Sequence, residues 1–366
     1  MSKYIPINKG NYSLDTKARE ELFEKNRGFG VESEYKQNRI KWAENPKSFN
    51  VADYPLLVDI ELASLCNLKC PMCYTITDEF KQKVRAKLMD WSLYTKIIDE
   101  IEGKVFAIRL SLRGESTLHK QFIEAISYAK SHGIKEVSTL SNGSKLKDKQ
   151  FCRDLVKAGL DWITVSADGV GETYNKIRRP ITFDQILQNL RNLKEVKAEL
   201  NSVKPVVKVQ GIWPAMEKNP SEYYNAYKEL TDLIAFNPLI DYMRELPDNI
   251  LLHEENFSCP QLYQRLVIGA DGRVLLCSND EEVDECIGDV NLNTVHEIWH
   301  GKKMTAYRDA HKQTDGFKQF DICKRCYLPR KTNEETHSVN DREFTVKNYV
   351  NSSDFHTSID DIQVEK

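Results

Sequence analysis

No apolar run in the 366-residue sequence approaches the ~20 residues that a membrane-spanning helix needs. Residues 1–10 lack the apolar stretch of a secretory signal. Nor is there an excess of positive charge. Lys and Arg number 52 against 55 Asp and Glu, a formal net charge of −3, which argues against a polybasic nucleic-acid surface. There is no internal repeat and no low-complexity block. The expectation is a cytoplasmic protein with no membrane or nucleic-acid partner. What remains is a globular composition, 40% hydrophobic and 29% charged. It is long enough for two to three domains at roughly 150 residues each.

Cysteine is where the sequence is rich. There are nine, and a reducing compartment disfavours disulfides, so spacing matters more than number. Three form Cys66-x3-Cys70-x2-Cys73. Four more, Cys259, Cys277, Cys323 and Cys326, fall late in the chain. In the cytosol both groups read as metal ligands. Cys152 and Cys286 belong to neither.

Residues 1–50 are polar, with helical composition at 18–26 and 34–43, and predict a helical extension. From residue 56 the pattern alternates. β-type runs at 56–62, 105–112, 137–140, 162–166, 206–212 and 240–243 are interleaved with helical patterns at 91–101, 120–131, 147–158, 182–200 and 221–234. Such alternation with short links predicts an α/β fold, a parallel sheet or barrel with its site at the strand C-termini. After Pro247 the style changes. Two short strands at 266–276 flank Asp271-Gly272, a hairpin signal, and a helix follows at 295–310. The predicted division is an extension over 1–50, a barrel over 51–247, a small α+β domain over 248–335, and a loosely ordered polar tail over 336–366.

The first cysteine group puts three thiols in one eight-residue loop directly after a strand. Three thiolates hold three irons of a 4Fe–4S cube and leave one iron open. A structural zinc site, or a fully ligated electron carrier, needs a fourth ligand. In this the chain resembles the radical SAM superfamily, whose Cys-x3-Cys-x2-Cys motif also follows the first strand of a six-unit βα chain. The resemblance covers residues 54–245 and implies a partial (β/α)6 TIM-like barrel. It implies a 4Fe–4S cluster on Cys66, Cys70 and Cys73, with S-adenosylmethionine (SAM) chelated to the open iron. It further implies reductive cleavage of SAM to a 5′-deoxyadenosyl radical that takes hydrogen from a C–H bond. The cofactors do that chemistry; the protein orients them and excludes water. An electron donor such as flavodoxin or ferredoxin is implied as well.

Further motifs follow in family order. Residues 112–116, Leu-Arg-Gly-Glu-Ser, stand where the family has Gly-Gly-Glu-Pro. Gly114 and Glu115 match; Arg113 and Ser116 depart. The resemblance gives Glu115 the SAM amino group, with Gly114 allowing close approach. Ser141-Asn142-Gly143 resembles Thr-Asn-Gly and makes Asn142 a candidate contact, although Asn-Gly is also simply a good turn. Ser166-Ala167-Asp168-Gly169 resembles Ser-x-Asp-Gly and directs Ser166 to the ribose or carboxylate. Tyr174-x2-Ile177-Arg178 resembles a stretch whose Arg pairs with the SAM carboxylate, a bidentate task that suits Arg178. Met72 stands where the family often has an aromatic, and Tyr74 follows the third cysteine. Both are candidates beside the adenine.

Cys259, Cys277, Cys323 and Cys326 suit a zinc ion or a second 4Fe–4S cluster, and spacing alone leaves the two equally open. The hairpin with Gly269, Asp271, Gly272, Val274 and Cys277, the later 288–290 Gly-Asp-Val, and Glu297-Ile-Trp299 resemble the SPASM/twitch type of C-terminal domain. The cysteine count suits its shorter, one-cluster form. The resemblance therefore implies an auxiliary 4Fe–4S cluster. Four ligands leave no iron open, so it would accept an electron, not chelate substrate. The expected function is oxidation (dehydrogenation) of a small polar substrate of sugar, nucleotide-sugar or aminocyclitol type. A radical epimerase with Cys286 as hydrogen donor and a ribosomal-peptide maturase are the alternatives, as is a non-enzymatic iron–sulfur or zinc protein. Cys152 reads as core. Gln210, Trp213, Glu217, Asn237 and Arg244 are candidate substrate contacts, and His119 reads as helix-start chemistry.

Overall fold

The computed structural model describes residues 3–7, 12–239, 250–339 and 342–350. The alternating runs become six parallel strands, β2 (Leu57–Ile60), β3 (Ala107–Arg109), β4 (Glu136–Ser141), β5 (Trp162–Ser166), β6 (Val206–Ile212) and β7 (Leu233–Asn237), each hydrogen-bonded to the next in chain order. Helices α3 (Asp78–Lys83), α4 (Trp91–Ile101), α5 (Phe122–Ser131), α6 (Lys149–Ala158), α7 (Gly171–Ile177), α8 (Phe183–Glu199) and α9 (Pro220–Tyr227) fill the crossovers. The strands alternate. Val58, Ile108, Val137, Ile163, Val209 and Ile234 are buried in one core with the helices. Each such side chain contributes about 1.5–3 kcal/mol on leaving water. Asp59, Arg109, Ser138, Thr164 and Lys208 take the opposite face, the barrel interior. There Asp59 pairs with Arg109 at 2.8 Å and with Arg265 at 2.7 Å. The architecture is α/β with a mostly parallel sheet, consistent with a partial TIM-like barrel.

The helical extension closes the floor of this barrel. From α1 (Lys17–Arg27), Arg27 reaches Glu136 at the start of β4 with two bonds, 2.8 and 2.7 Å, and lies over the Trp162 ring at 4.4 Å. The ring of Tyr35, on α2 (Glu32–Ser48), tilts against Phe106. A two-residue strand, β1 (Tyr12–Ser13), covers the β7 edge.

The C-terminal module does not stand apart. β8 (Arg265–Ile268) joins β2 in parallel, and β9 (Arg273–Leu275) and β10 (Cys286–Asp289) follow antiparallel. One ten-stranded sheet results, in the order β1-β7-β6-β5-β4-β3-β2-β8-β9-β10. The Asp271-Gly272 hairpin is present, with Gly272 at φ +91°.

Three expectations need correction. The sixth strand is Leu233–Asn237, which the helical pattern over 221–234 had partly absorbed. Tyr227, Leu230 and Ile234 keep helical spacing, but α9 stops at Tyr227. The strand expected at 240–243 lies outside the described residues. The helix expected at 295–310 is two, α10 (Val295–Trp299) and α11 (Lys302–Lys312), with Gly301 as the N-cap of the second. The expected loose tail holds a hairpin, β11 (Thr332–Val339) with β12 (Arg342–Tyr349). Its His337 and Phe344 pack on Trp213, and Phe344 also on Phe236. Among the described residues no helix is long and apolar enough to cross a membrane.

Candidate active site and cluster-binding cysteines

The first three cysteines lie in the loop beyond the C-terminal end of β2. Cys66 is exposed, Cys73 half-buried and Cys70 buried. The loop is held by short local bonds, Cys73 N to Cys70 O at 2.9 Å and Leu68 N to Cys66 Sγ at 3.4 Å. Burial pushes the Cys70 thiol up to about 11, while the charge of Arg178 pulls it down.

The strand ends gather around this loop. Gly114 has φ +63°, and a Cβ there would stand 2.5 Å from Ala63 O and 2.6 Å from Leu65 O. Only glycine allows the end of β3 to lie this close to the cysteine loop. Glu115 N then donates to Leu65 O at 2.7 Å. The Glu115 carboxylate is buried. Its Oε1 accepts from Thr117 N, Thr117 Oγ1 and Ser141 Oγ, and its Oε2 from Asn142 N at 2.6 Å. Oε2 keeps a lone pair for one more donor. Burial raises the Glu115 pKa, and those donors oppose the rise. Asn142 Nδ2 donates to Asn67 Oδ1 at 2.8 Å and lies 4.0 Å from Cys66 Sγ. The second- and third-strand motifs of the parallel sheet are therefore one network with the cysteine loop.

Ser166 ends β5 with a half-buried side chain. Arg178 donates from Nε to Asp168 Oδ2 at 2.5 Å, and Asp168 Oδ1 accepts from Ile212 N at 2.9 Å. The Ser-x-Asp-Gly and Tyr-x2-Ile-Arg motifs are thus locked together, a pairing the sequence reading missed. Met72 packs against the core, and the Tyr74 ring meets Phe80 edge-on at 5.4 Å. His119 is structural: Nδ1 accepts from Gln121 N and Nε2 bonds Met89 O. Gln210 lies within β6, two residues before its end, Asn237 ends β7, and Trp213 is buried. Glu217 is close enough to feel the charges of Lys218 and His337. Arg244 lies outside the described residues.

The other four cysteines come from separate segments and line one cavity with Phe257, Asn279 and His311. Cys259 precedes a short 3-10 turn, Cys277 follows β9, and Cys323 and Cys326 bracket the end of α12 (Asp321–Arg325). Burial first, then neighbouring thiols, push Cys259 up to about 12 and raise Cys277 and Cys323 well above the ordinary thiol range. Asn279 Nδ2 donates to Cys326 Sγ at 3.4 Å, and Leu328 N does so at 3.5 Å. His311 Nδ1 accepts from Cys259 N.

The two spare cysteines go elsewhere. Cys152 is fully buried on α6 and its thiol donates to Leu146 O. Cys286 opens the edge strand β10 and donates to Gly288 O at 3.2 Å. On the surface, Asp53, His296 and His300 form a compact set of possible ligands. Both imidazoles already bond Asp53, one through its carboxylate and one through its carbonyl, and so fasten α10 to the segment before β2.

Family models match two parts of the chain: the radical SAM superfamily over residues 60–206, and an iron–sulfur cluster-binding domain, SPASM, over 259–327. The chain carries a radical SAM domain followed by a SPASM domain. Among curated relatives, the Fe-coproporphyrin III synthase of Methanosarcina barkeri is 30% identical over 131 residues, 36% of this chain and 32% of that protein. A tungsten-containing aldehyde ferredoxin oxidoreductase cofactor-modifying protein of Pyrococcus furiosus is 24% identical over 268 residues, 69% of this chain and 71% of that protein. A probable GTP 3′,8-cyclase of Saccharolobus islandicus is 30% identical over 138 residues, 37% and 43% of the two chains. The matches thus span from about a third to under three quarters of these relatives.

Solved structures share the radical SAM fold at low identity. BtrN in complex with AdoMet and 2-DOIA aligns with TM-score 0.52 at 16% identity, over 76% of this chain and 94% of that one. anSMEcpe with bound AdoMet gives 0.54 at 17%, over 74% and 86%. Streptococcus suis SuiB gives 0.56 at 14%, over 85% and 84%.

The radical SAM domain carries a 4Fe–4S cluster and SAM, and the SPASM domain carries auxiliary cluster chemistry. The donor sets fit. Tetrahedral zinc with Zn–S of about 2.3 Å would hold its sulfurs about 3.8 Å apart. Among the described residues no three cysteine sulfurs lie within 4.8 Å of one another. Neither set is closed to the spacing of a tetrahedral zinc site, and thiol donors in a three and a four suit an open and a fully ligated iron–sulfur cube. In the four-cysteine cavity, burial and mutual repulsion oppose ionisation of the thiols, and bound cations would favour it.

Proposed function

We propose that this radical SAM protein oxidises a C–H bond of a small polar substrate, of sugar, nucleotide-sugar or aminocyclitol type. When bound, the cofactors supply reductive cleavage of SAM to a 5′-deoxyadenosyl radical. The hydroxyl-bearing carbon of the substrate gives one hydrogen atom to that radical; the substrate radical would then pass one electron to the auxiliary cluster while its hydroxyl releases a proton, leaving a carbonyl, a two-electron oxidation. The observation that carries this reading is one cavity lined by four cysteine thiols. Four protein ligands leave no iron free for substrate, so a cluster there suits accepting the second electron.

In this reading Cys66, Cys70 and Cys73 hold the SAM-binding cluster, and Cys259, Cys277, Cys323 and Cys326 hold the auxiliary one. Glu115 Oε2 takes the SAM ammonium beside the close backbone approach at Gly114. Arg178, oriented by Asp168, offers its remaining N–H groups to the SAM carboxylate. Asn142, Ser166, Met72 and Tyr74 surround the rest of the ligand. A low-potential donor such as flavodoxin or ferredoxin supplies the first electron. The working boundaries are an extension over 1–50, a barrel over 51–247 and an auxiliary domain over 248–335. Small-molecule substrates are favoured over peptides because residues 17–48 form the helices α1 and α2 and not the strand-rich winged-helix clamp that peptide maturases often carry at their N-terminus.

The test is to incubate the anaerobically reconstituted protein with deuterated candidates of these classes and follow deuterium into 5′-deoxyadenosine. Label transfer with a carbonyl product supports the reading. In Cys259→Ala, carbonyl formation should stop while some SAM cleavage persists. Undiminished carbonyl formation in a variant shown to lack the second cluster would exclude the acceptor role.

A further inference from the structure

Arg113 stands where the radical SAM motif has glycine, and the structure gives that departure a physical role. Its side chain is 2% exposed and forms a bidentate fork on Glu61, which is 0% exposed. Nε meets Oε1 at 2.7 Å and Nη2 meets Oε2 at 2.6 Å. The Arg113 backbone N–H adds a third bond to Oε1 at 3.3 Å. The same Glu61 Oε2 accepts from Ala270 N at 2.9 Å, in the turn between β8 and β9. The remaining arm, Nη1, donates to Glu281 O at 3.0 Å.

These partners belong to both cluster sites. Glu61 leads from β2 into the loop of Cys66, and Arg113 directly precedes Gly114 and Glu115. Ala270 lies in the hairpin turn before β9, which ends two residues ahead of Cys277, and Glu281 follows Cys277 in the next loop. One buried guanidinium thus ties the SAM-site strand end to the segments on both sides of an auxiliary-cluster cysteine. The β2–β8 ladder joins the two strands below this corner, and Glu61 N to Ile268 O carries the backbone pairing up to it. A buried carboxylate with a forked cation and two N–H donors is a rigid joint, because each displaced partner strands a charge or a polar group. Lysine has the charge but not the planar fork.

We propose that Arg113 is a positioning residue that sets the separation and orientation of the two clusters. Electron transfer between centres falls steeply with distance, so a fixed joint here holds the auxiliary cluster within reach of the radical site. The inference rests on the presence of two clusters and not on oxidation as the outcome.

Three variants test it: Arg113→Lys, Glu61→Gln, and the double variant Arg113→Met/Glu61→Gln, which removes both charges and strands neither. In the anaerobically reconstituted protein, iron content and the SAM-induced shift of the first cluster's EPR signal are read first. The magnetic interaction between the two reduced clusters is then measured by pulsed EPR, and amide exchange over 269–285 by mass spectrometry. About eight irons and the SAM shift should be retained in the double variant. The inter-cluster interaction should broaden or weaken at least twofold, and exchange over 269–285 should rise at least tenfold. Arg113→Lys should shift both readouts in the same direction by less. If the double variant does not fold, Arg113→Lys and Glu61→Gln decide. An unchanged inter-cluster interaction and unchanged exchange in any variant holding both clusters would overturn the proposal. No turnover is needed, so a failure of the oxidation reading leaves this result intact.

Discussion

The two cysteine sites are built by opposite strategies. The three-cysteine loop takes its ligands from one eight-residue stretch, leaves Cys66 exposed, and relies on neighbouring strand ends for everything else. The four-cysteine cavity draws on segments from 259 to 326, and burial raises the thiols it gathers. The first site is a local shape that must stay open on one side for SAM. The second exists only once β8, β9, α12 and their loops have folded. A ligand set held in one loop and a ligand set assembled from distant segments suit the proposed division between a cluster that binds SAM and one that accepts an electron.

The strongest way to break this comparison is to delete one site at a time. Replacing Cys66, Cys70 and Cys73 together by alanine should leave about four of about eight irons and abolish 5′-deoxyadenosine formation. Iron analysis and product chromatography read both outcomes, and undiminished deoxyadenosine would end the assignment of the open site. Gly114→Ala should come close to that loss. Its Cβ meets backbone, not a movable side chain, and the positive φ adds strain. Loss of SAM cleavage with both clusters retained is the expected pattern. Glu115→Ala and Arg178→Ala should weaken SAM binding by about tenfold or more with iron content unchanged, since each removes a charged hydrogen-bonding partner. Equilibrium binding of SAM checks this.

The contrast also explains what the sequence made legible. A ligand set within one loop, and strand-end motifs in family order, are read without knowing the fold. So are strands such as Trp162–Ser166 and Val206–Ile212 and the helix Trp91–Ile101, whose periodicity is clean. Leu233–Asn237 was hidden because its apolar residues continue a helical spacing from Tyr227. The break at Gly301 was hidden because apolar periodicity runs through it. β11 and β12 read as tail because their burial comes from Trp213 and Phe236, more than a hundred positions away. Glu61 and Arg113, 52 positions apart, carry no local signal that they meet.

A smaller effect sharpens the role of the N-terminal helices. Burial opposes ionisation of Glu136, but the charge and hydrogen bonds of Arg27 overcome it and hold the carboxyl below its ordinary range. A depressed carboxyl stabilises the fold above its unfolded value of about 4.3, and that stability is lost as pH falls through the folded value. Removing Arg27 alone leaves the carboxylate buried. Arg27→Ala should therefore cost about 3–5 kcal/mol near neutral pH, read by denaturant unfolding of the cluster-free chain. The acid-side loss attributable to this pair should vanish in the variant. A variant as stable as the parent would show that the barrel floor does not depend on this contact.

The least disruptive change bears on oxidation against epimerisation. Cys286 aligns across the sheet with Leu275, which aligns with Val267 and then Asp59 on β2. Three strand spacings of about 4.8 Å put it about 14 Å from β2, and its thiol is turned to Gly288 O. An epimerase needs a thiol next to the substrate radical, on the face away from the abstracted hydrogen. Cys286→Ala should therefore change turnover by less than about twofold and cost under about 1 kcal/mol, the worth of one weak thiol bond. The decisive companion measurement is product formed in heavy water. Thiol hydrogens exchange with solvent, so an epimerised product would carry one deuterium at the inverted carbon, whereas an oxidised product has lost that hydrogen altogether. Stalled turnover in Cys286→Ala, together with solvent deuterium in a configuration-inverted product, would reverse the preference for oxidation and require this edge strand to approach the barrel mouth during catalysis.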